Sequence, residues 1–223
     1  MILKKKKNDK TIDIPTINRD GSLKKRLFPL MMGGFLNILD KKSKLYTYLL
    51  VRLVDKAFDE YFEAKEYIEE EIKTGDKLTY MFGKINHLEN CLNAISRAGK
   101  IFKIIVSGKI IKKDGVKKVI KKKINIINFF NPEDIEEIKK SKNKESTIRN
   151  RIEHINEDVY FNKFKQELSI NVDEEYRKIC INKKSITLIE LVEIIEKYYE
   201  FVLGIFGNLP NRIEKGVYFY DKK

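Results

Sequence analysis

The stretch that decides the fold is SKLYTYLLVRLVDKAFDEYFEAKEYIEEEIKTGDKLTYMFGKINHLENCLNAISRAGKIFKIIV, residues 43–106. In its first half Tyr46, Leu49, Leu53, Ala57, Ala64 and Ile68 recur at spacings of three, four or seven, the period of one helix face. In its second half Leu78, Phe82, Ile85, Leu92, Ile95, Gly99, Phe102 and Val106 do the same. Between the two runs Thr74-Gly75 is a helix stop, and Asp76 is an N-cap whose carboxylate can accept from the free amides of the next first turn. Two long amphipathic helices joined by a tight turn predict an antiparallel pair. Beside the second apolar seam runs a polar stripe, Asn86, Asn90, Asn93 and Arg97, with His87 adjoining. In a chain whose solvent faces are mostly Lys and Glu, such a line of amides suits either a polar site or an ordinary exposed face.

The flanks are less regular. Residues 1–40 hold Pro15, Pro29, Asp20-Gly21, Gly33-Gly34 and basic clusters at Lys4 to Lys7 and Lys24 to Arg26, which reads as an irregular basic arm. Residues 109–123 carry eight Lys against Asp114, a local charge of +7. Val116, Val119, Ile120, Ile124 and Ile127 would back a helix there, with Lys117, Lys118, Lys121 and Lys122 on its other face; a β-hairpin about Asp114-Gly115 fits as well. In either form this segment suits sequence-independent contact with a nucleic-acid backbone, to which Arg151 would add.

Asn131-Pro132-Glu133-Asp134 reads as a helix start, with a capping side chain, a Pro where no amide is needed, and acids at the positive end of the dipole. A short helix to about Lys140 would follow. After the polar residues 141–146, Ile148, Ile152, Ile155 and Val159 mark the seam of another helix. A short strand pair is expected around Tyr176 to Ile181, then Thr187 and Glu190 as a capping box opening a last helix to about Phe206. The fold class expected is all-α, a bundle of four to five helices with a minor C-terminal β element. Its domain would span residues 41–223.

Composition narrows the function classes. With 223 residues and 42% hydrophobic content, the chain can bury one sizeable core. No run of about 18 apolar residues exists, and the basic cluster after Met1-Ile2-Leu3 has no apolar run of about 7–15 behind it, so no membrane span or secretory signal is expected. A cytoplasmic protein fits best. Cys91 and Cys180 stand apart from any Cys/His cluster, so neither a zinc site nor a disulfide framework is expected, and no cofactor is called for. The net charge of +13 favours a polyanion such as RNA. Only eight of the 46 basic residues are Arg, however, and the Lys-, Ile- and Asn-rich usage is also what an AT-rich genome encodes.

Chemistry concentrates in Arg149-Asn150-Arg151-Ile152-Glu153-His154. If Ser146 or Thr147 caps that helix, Arg149 lies in its first turn, where unpaired amides and the dipole already favour an anion. A guanidinium fork can hold two phosphate oxygens. Asn150 and His154, four apart, share a helix face, and an imidazole with an ordinary pKa of about 6.5 moves protons both ways near neutrality. The competing reading pairs His154 with Glu153 or Glu157, and Arg149 with Glu153, as surface partners.

The order Arg, Asn, then His resembles the signature of the HEPN ribonucleases, in which Arg and His are separated by four to six residues and Asn, Asp or His is favoured directly after the Arg. Arg149, Asn150 and His154 match its shortest form. The resemblance implies a HEPN-like helical bundle over most of residues 43–206 and a metal-independent endoribonuclease, used as a toxin or in anti-phage defence. Two motif helices would face each other across a homodimer, so a second copy supplies another His154 and Arg149. Attack of an RNA 2′-hydroxyl on the neighbouring phosphate would leave 2′,3′-cyclic phosphate and 5′-hydroxyl ends. A cognate antitoxin or defence partner is implied as well. HEPN proteins often add an acidic or polar residue from an earlier helix, for which Asn86, Glu89, Asn90 and Asn93 are the candidates, with His87 and Arg97 nearby. The alternative is a non-catalytic helical dimer module that binds nucleic acid or a protein partner.

Overall fold

The computed structural model describes residues 13–17, 21–32, 39, 41–107, 109–113, 116–120, 133, 135–136, 170–173, 175–181 and 184–214. Their fold is all-α with a minor β element. Helices α1 (Leu23–Met32), α2 (Lys41–Thr74) and α3 (Lys77–Ser107) are followed by strands β1 (Lys109–Lys113) and β2 (Val116–Ile120), then by β3 (Ile170–Val172), β4 (Lys178–Ile181), β5 (Lys184–Thr187) and helix α4 (Leu188–Glu214).

Helices α2 and α3 are the expected antiparallel pair, and the turn between them is made as the residue types dictate. Gly75 adopts φ 74°, a left-handed conformation that costs an L side chain but not glycine, and its amide donates to the Glu71 carbonyl at 2.8 Å. Asp76 then caps α3, accepting from the Thr79 amide at 3.1 Å and from the Thr79 hydroxyl. Those bonds, the hydroxyl's first, hold the Asp76 carboxyl below its ordinary pKa, so the cap is lost as pH falls through that lowered value.

Between the helices lies the core. Leu50, Val54, Ala57, Phe58, Tyr61, Ala64 and Ile68 of α2 meet Leu88, Cys91, Leu92, Ile95, Ala98 and Phe102 of α3, all buried. The expected seam holds at Ala57, Ala64, Ile68, Leu92, Ile95 and Phe102. It fails at the start of α3, where Leu78 and Phe82 are 78% and 75% exposed. Gly83 and Lys84 take the inward positions there instead. A Cβ on Gly83 would collide with the Tyr67 ring, and the buried Lys84 ammonium pairs with the buried Glu71 carboxylate, so this end of the seam is polar and aromatic.

The irregular arm is corrected over residues 13–17 and 21–32. Ile14, Ile17, Leu23 and Leu27 are buried, and Leu23–Met32 is helical. The cause is Asp55, fully buried in the middle of α2, which supplies the start of α1 with its acceptors. Its Oδ1 takes the Leu23 amide at 3.0 Å; its Oδ2 takes the Lys24 amide at 2.9 Å and the Ser22 hydroxyl at 2.8 Å. A cap donated from another helix leaves no local spacing to read. The Tyr61 hydroxyl donates to the Pro15 carbonyl at 2.6 Å, and that of Tyr199 to the Gly21 carbonyl at 3.0 Å, so the segment is tied to both α2 and α4.

Between the two alternatives for residues 109–120 the structure has the hairpin, not the helix. Strands β1 and β2 are antiparallel, with Lys113 opposite Val116 and Lys109 opposite Ile120. Two residues separate the paired Lys113 and Val116 in sequence, the separation that favours right-twisted hairpins. Glu133, Ile135 and Glu136 are helical, as expected after Asn131-Pro132. The expected strand pair is instead a three-stranded antiparallel sheet, in the order β3-β4-β5, whose Ile179 and Ile186 are buried. Asp173 organises its first turn, its Oδ1 accepting from the Arg177 amide at 2.6 Å and the Lys178 amide at 3.0 Å. The capping box is present: the Thr187 amide donates to Glu190 Oε2 and the Glu190 amide to Thr187 Oγ1, each at 3.1 Å. It starts α4, which buries Leu191, Ile195, Tyr198, Phe201, Val202 and Ile205. No helix among the described residues is long and apolar enough to cross a membrane.

Glu71 joins the sheet to the helix pair. One carboxylate oxygen takes Lys84, the other accepts the Tyr176 hydroxyl at 2.7 Å, and the Lys84 ammonium lies 5.1 Å from the centroid of the Tyr176 ring. Tyr176 reaches this position with φ 53°, so the turn before β4 carries backbone strain to place it. Burial, and next the Glu71 carboxylate, push the Tyr176 phenol up to about 12. The unfolded phenol ionises first as pH rises, so this group's contribution to stability is complete below about pH 10 and falls between about pH 10 and 12.

Two substitutions test these connections by chemical denaturation. Asp55→Ala removes the α1 cap and strands its donors, and should cost about 2–4 kcal/mol. Lys84→Ala should cost about 3–5 kcal/mol by leaving Glu71 buried and unpaired, whereas Lys84→Met combined with Glu71→Leu should recover most of that loss.

Candidate functional site

Midway along the helix pair a second carboxylate collects polar partners, this time half-buried. Glu60 of α2 receives His87 Nδ1 at 2.8 Å and Asn90 Nδ2 at 3.3 Å, both on its Oε2. Its other oxygen lies 3.7 Å from the exposed Lys56 ammonium, one helical turn back. An ionised carboxylate only accepts, so His87 donates from Nδ1 and the neutral imidazole presents a lone pair on Nε2. The side chains of His87 and Glu60 are 23% and 17% exposed, shielded but within reach of solvent.

The imidazole is also held in its plane. The Tyr67 ring stacks on it, with centroids 5.4 Å apart and planes 25° from parallel, and the Tyr80 ring meets Tyr67 edge-on at 6.3 Å. Gly83 makes the stack feasible, because a Cβ at that position would lie 2.6 Å from Tyr67 Cδ1, well inside any carbon–carbon contact. Glycine inside a helix weakens it by about 0.5–1 kcal/mol, and here the missing side chain admits the ring that fixes His87. The arrangement is a carboxylate–imidazole pair on rigid elements, with an amide steadying the carboxylate and an aromatic ring steadying the imidazole.

The polar stripe is thereby divided. His87 and Asn90 converge on Glu60; Asn93 is half-buried; Asn86 and Arg97 are exposed. Glu60, Tyr67 and Gly83 are residues that reading the sequence missed. One signal could have found the acid: folding the chain back at Gly75 sets position 87 beside positions in the low sixties, where Glu60 and Glu63 are the only acids. Arg149, Asn150, Arg151 and His154 lie outside the described residues, as do Lys121 and Lys122. Lys117 and Lys118 fall in β2, paired with Lys112 and Ile111 of β1. Among the described residues no group of three or more His, Cys, Asp or Glu could hold a metal ion, and neither Cys91, which is buried, nor Cys180, which is half-buried, is in a disulfide.

No protein-family model matches the chain, and no curated protein or solved structure does. Its class is therefore defined by the fold described above, an all-α bundle with a minor β element.

Gly83→Ala tests the site as built. The added methyl must displace Tyr67, at a cost of about 1–3 kcal/mol. The imidazole resonances of His87 should move with the ring, and an unchanged spectrum in a stable variant would contradict the packing.

Proposed function

We propose that this protein is a metal-independent endoribonuclease of the HEPN type, acting in the cytoplasm as a toxin or anti-phage defence effector. The observation that carries the reading is the spacing Arg149-Asn150 … His154, in a chain whose described part is a helical bundle centred on a long antiparallel helix pair. The net charge of +13 and the Lys-rich β1–β2 hairpin agree with RNA as the partner.

In this reading the phosphate is held by the Arg149 fork, with Asn150 orienting it and Lys117, Lys118, Lys121, Lys122 and Arg151 drawing in the flanking backbone. The RNA 2′-oxygen attacks phosphorus, the bond to the 5′-oxygen breaks, and Arg149 stabilises the charge that builds on the phosphoryl oxygens. His154 moves a proton. Two copies form a homodimer with the motif helices facing each other, and a cognate antitoxin or defence partner controls it. A second reading, a non-catalytic module that binds nucleic acid or protein, is favoured by the exposed Leu78 and Phe82, one turn apart on α3 and available to a partner.

Purified protein incubated with mixed RNA in EDTA should cleave it. His154→Ala should abolish the cleavage and Arg149→Ala should slow it by about a hundredfold or more. Undiminished cleavage by His154→Ala protein would refute the mechanism. RNA binding that falls steeply with salt but never leads to cleavage would establish the second reading.

A further inference from the structure

Helix α2 buries one face against α3 and leaves the opposite face open. On that face Tyr48, Arg52, Lys56, Asp59, Glu63 and Glu66 are exposed and recur every three or four residues, so they form one continuous stripe. Leu45, one turn before Tyr48, is 55% exposed. The two halves of the helix have opposite sign. Residues 41–56 hold four Lys and Arg52 against Asp55 alone, whose buried carboxylate is engaged in the α1 cap. Residues 59–71 hold seven acids against Lys65 alone.

Neither half suits the helix by itself. Lys41, Lys42 and Lys44 stand in the first turn, at the positive end of the dipole, and Asp59, Glu63 and Glu66 follow one another at spacings of four and three, where like charges repel. The fold neutralises part of this charge. Lys56 reaches Glu60 and Lys24 reaches Asp59, each at 3.7 Å, whereas Arg52, Glu63 and Glu66 make no ion pair among the described residues.

A stripe that is basic at one end and acidic at the other is complementary to its own reverse. We propose that this face of α2 docks on the same face of a second copy, with the two helices antiparallel. The proposal goes beyond the ribonuclease reading and does not depend on it, since it uses residues of α2 alone. With the two-fold axis between Lys56 and Asp59, Lys56 faces Asp59 of the second copy, Arg52 faces its Glu63, and Tyr48 comes level with its Glu66. The symmetry makes each meeting twice and closes the assembly at two chains. A parallel pair in register would set Arg52 against Arg52 and Glu63 against Glu63.

The size of the face sets the strength. From Leu45 to Glu70 the helix rises about 38 Å, and with a width of about 10–12 Å each copy covers roughly 400 Å². That is about half of what each partner gives to a standard interface. Exposed ion pairs contribute little one by one, so here the charges choose the partner and its direction while Leu45 and Tyr48 add apolar contact. The dimer is therefore weak, reversible and sensitive to salt.

Sedimentation equilibrium of the full chain tests this. Wild type should show a monomer–dimer equilibrium in about the micromolar range, weakened about tenfold from about 50 to about 500 mM salt. Arg52→Glu and Glu63→Arg should each weaken the dimer by about tenfold or more, because both pairs become repulsive. An equimolar mixture of the two variants should restore a one-to-one dimer, and the double variant Arg52→Glu/Glu63→Arg should restore its own. The mixture also controls for folding, because a misfolded chain would not recover its partner. Single variants that dimerise like wild type overturn the proposal and leave the dimer of the ribonuclease reading standing. Failure of the mixture to recover, or growth into longer chains, overturns the antiparallel pairing, and a monomer at every concentration overturns both dimers.

Discussion

The reversal of the chain at Gly75 is the constraint on which the rest depends. A left-handed residue there, capped on the far side by Asp76, sets the register of α2 against α3, and that register decides every cross-helix meeting that follows. Tyr67 meets Gly83, Glu71 meets Lys84, and Glu60 meets His87 and Asn90. A slip of one residue rotates each helix by about 100° and separates all three sets at once. The three meetings differ in depth, and so in what they can do. Glu71 and Lys84 are buried, with Tyr176 closing over them, so their charges fasten the sheet to the bundle. Glu60 and His87 are partly open, so this carboxylate–imidazole pair stays within reach of solvent.

How much of this was legible in the sequence depended on whether the cause was local. Thr74-Gly75-Asp76 and the Thr187/Glu190 capping box are set by residues within a turn of one another, and both are present as read. The apolar period of residues 43–106 identified the helix pair. It misassigned Leu78 and Phe82, because Gly83, Lys84 and Tyr67 form a polar and aromatic contact that an apolar period does not register. Helix α1 was hidden for a related reason. Its cap is Asp55, more than thirty residues further along, so residues 21–32 by themselves look like a loose basic arm.

The candidate site divides in the same way. His87 and Asn90 stood out as uncharged residues in a Lys- and Glu-rich chain, whereas Glu60 looked like one acid among many until the fold placed it opposite them. Of the two histidines in 223 residues, His87 is the one backed by a carboxylate among the described residues.

The most direct test of the central claim is the chemical identity of the ends that purified protein makes on a defined RNA in EDTA, read by mass spectrometry. The account predicts 2′,3′-cyclic phosphate on one fragment and 5′-hydroxyl on the other, because only the RNA's own 2′-oxygen attacks. Fragments ending in 3′-hydroxyl and 5′-phosphate would mean that water attacked instead, and would contradict it.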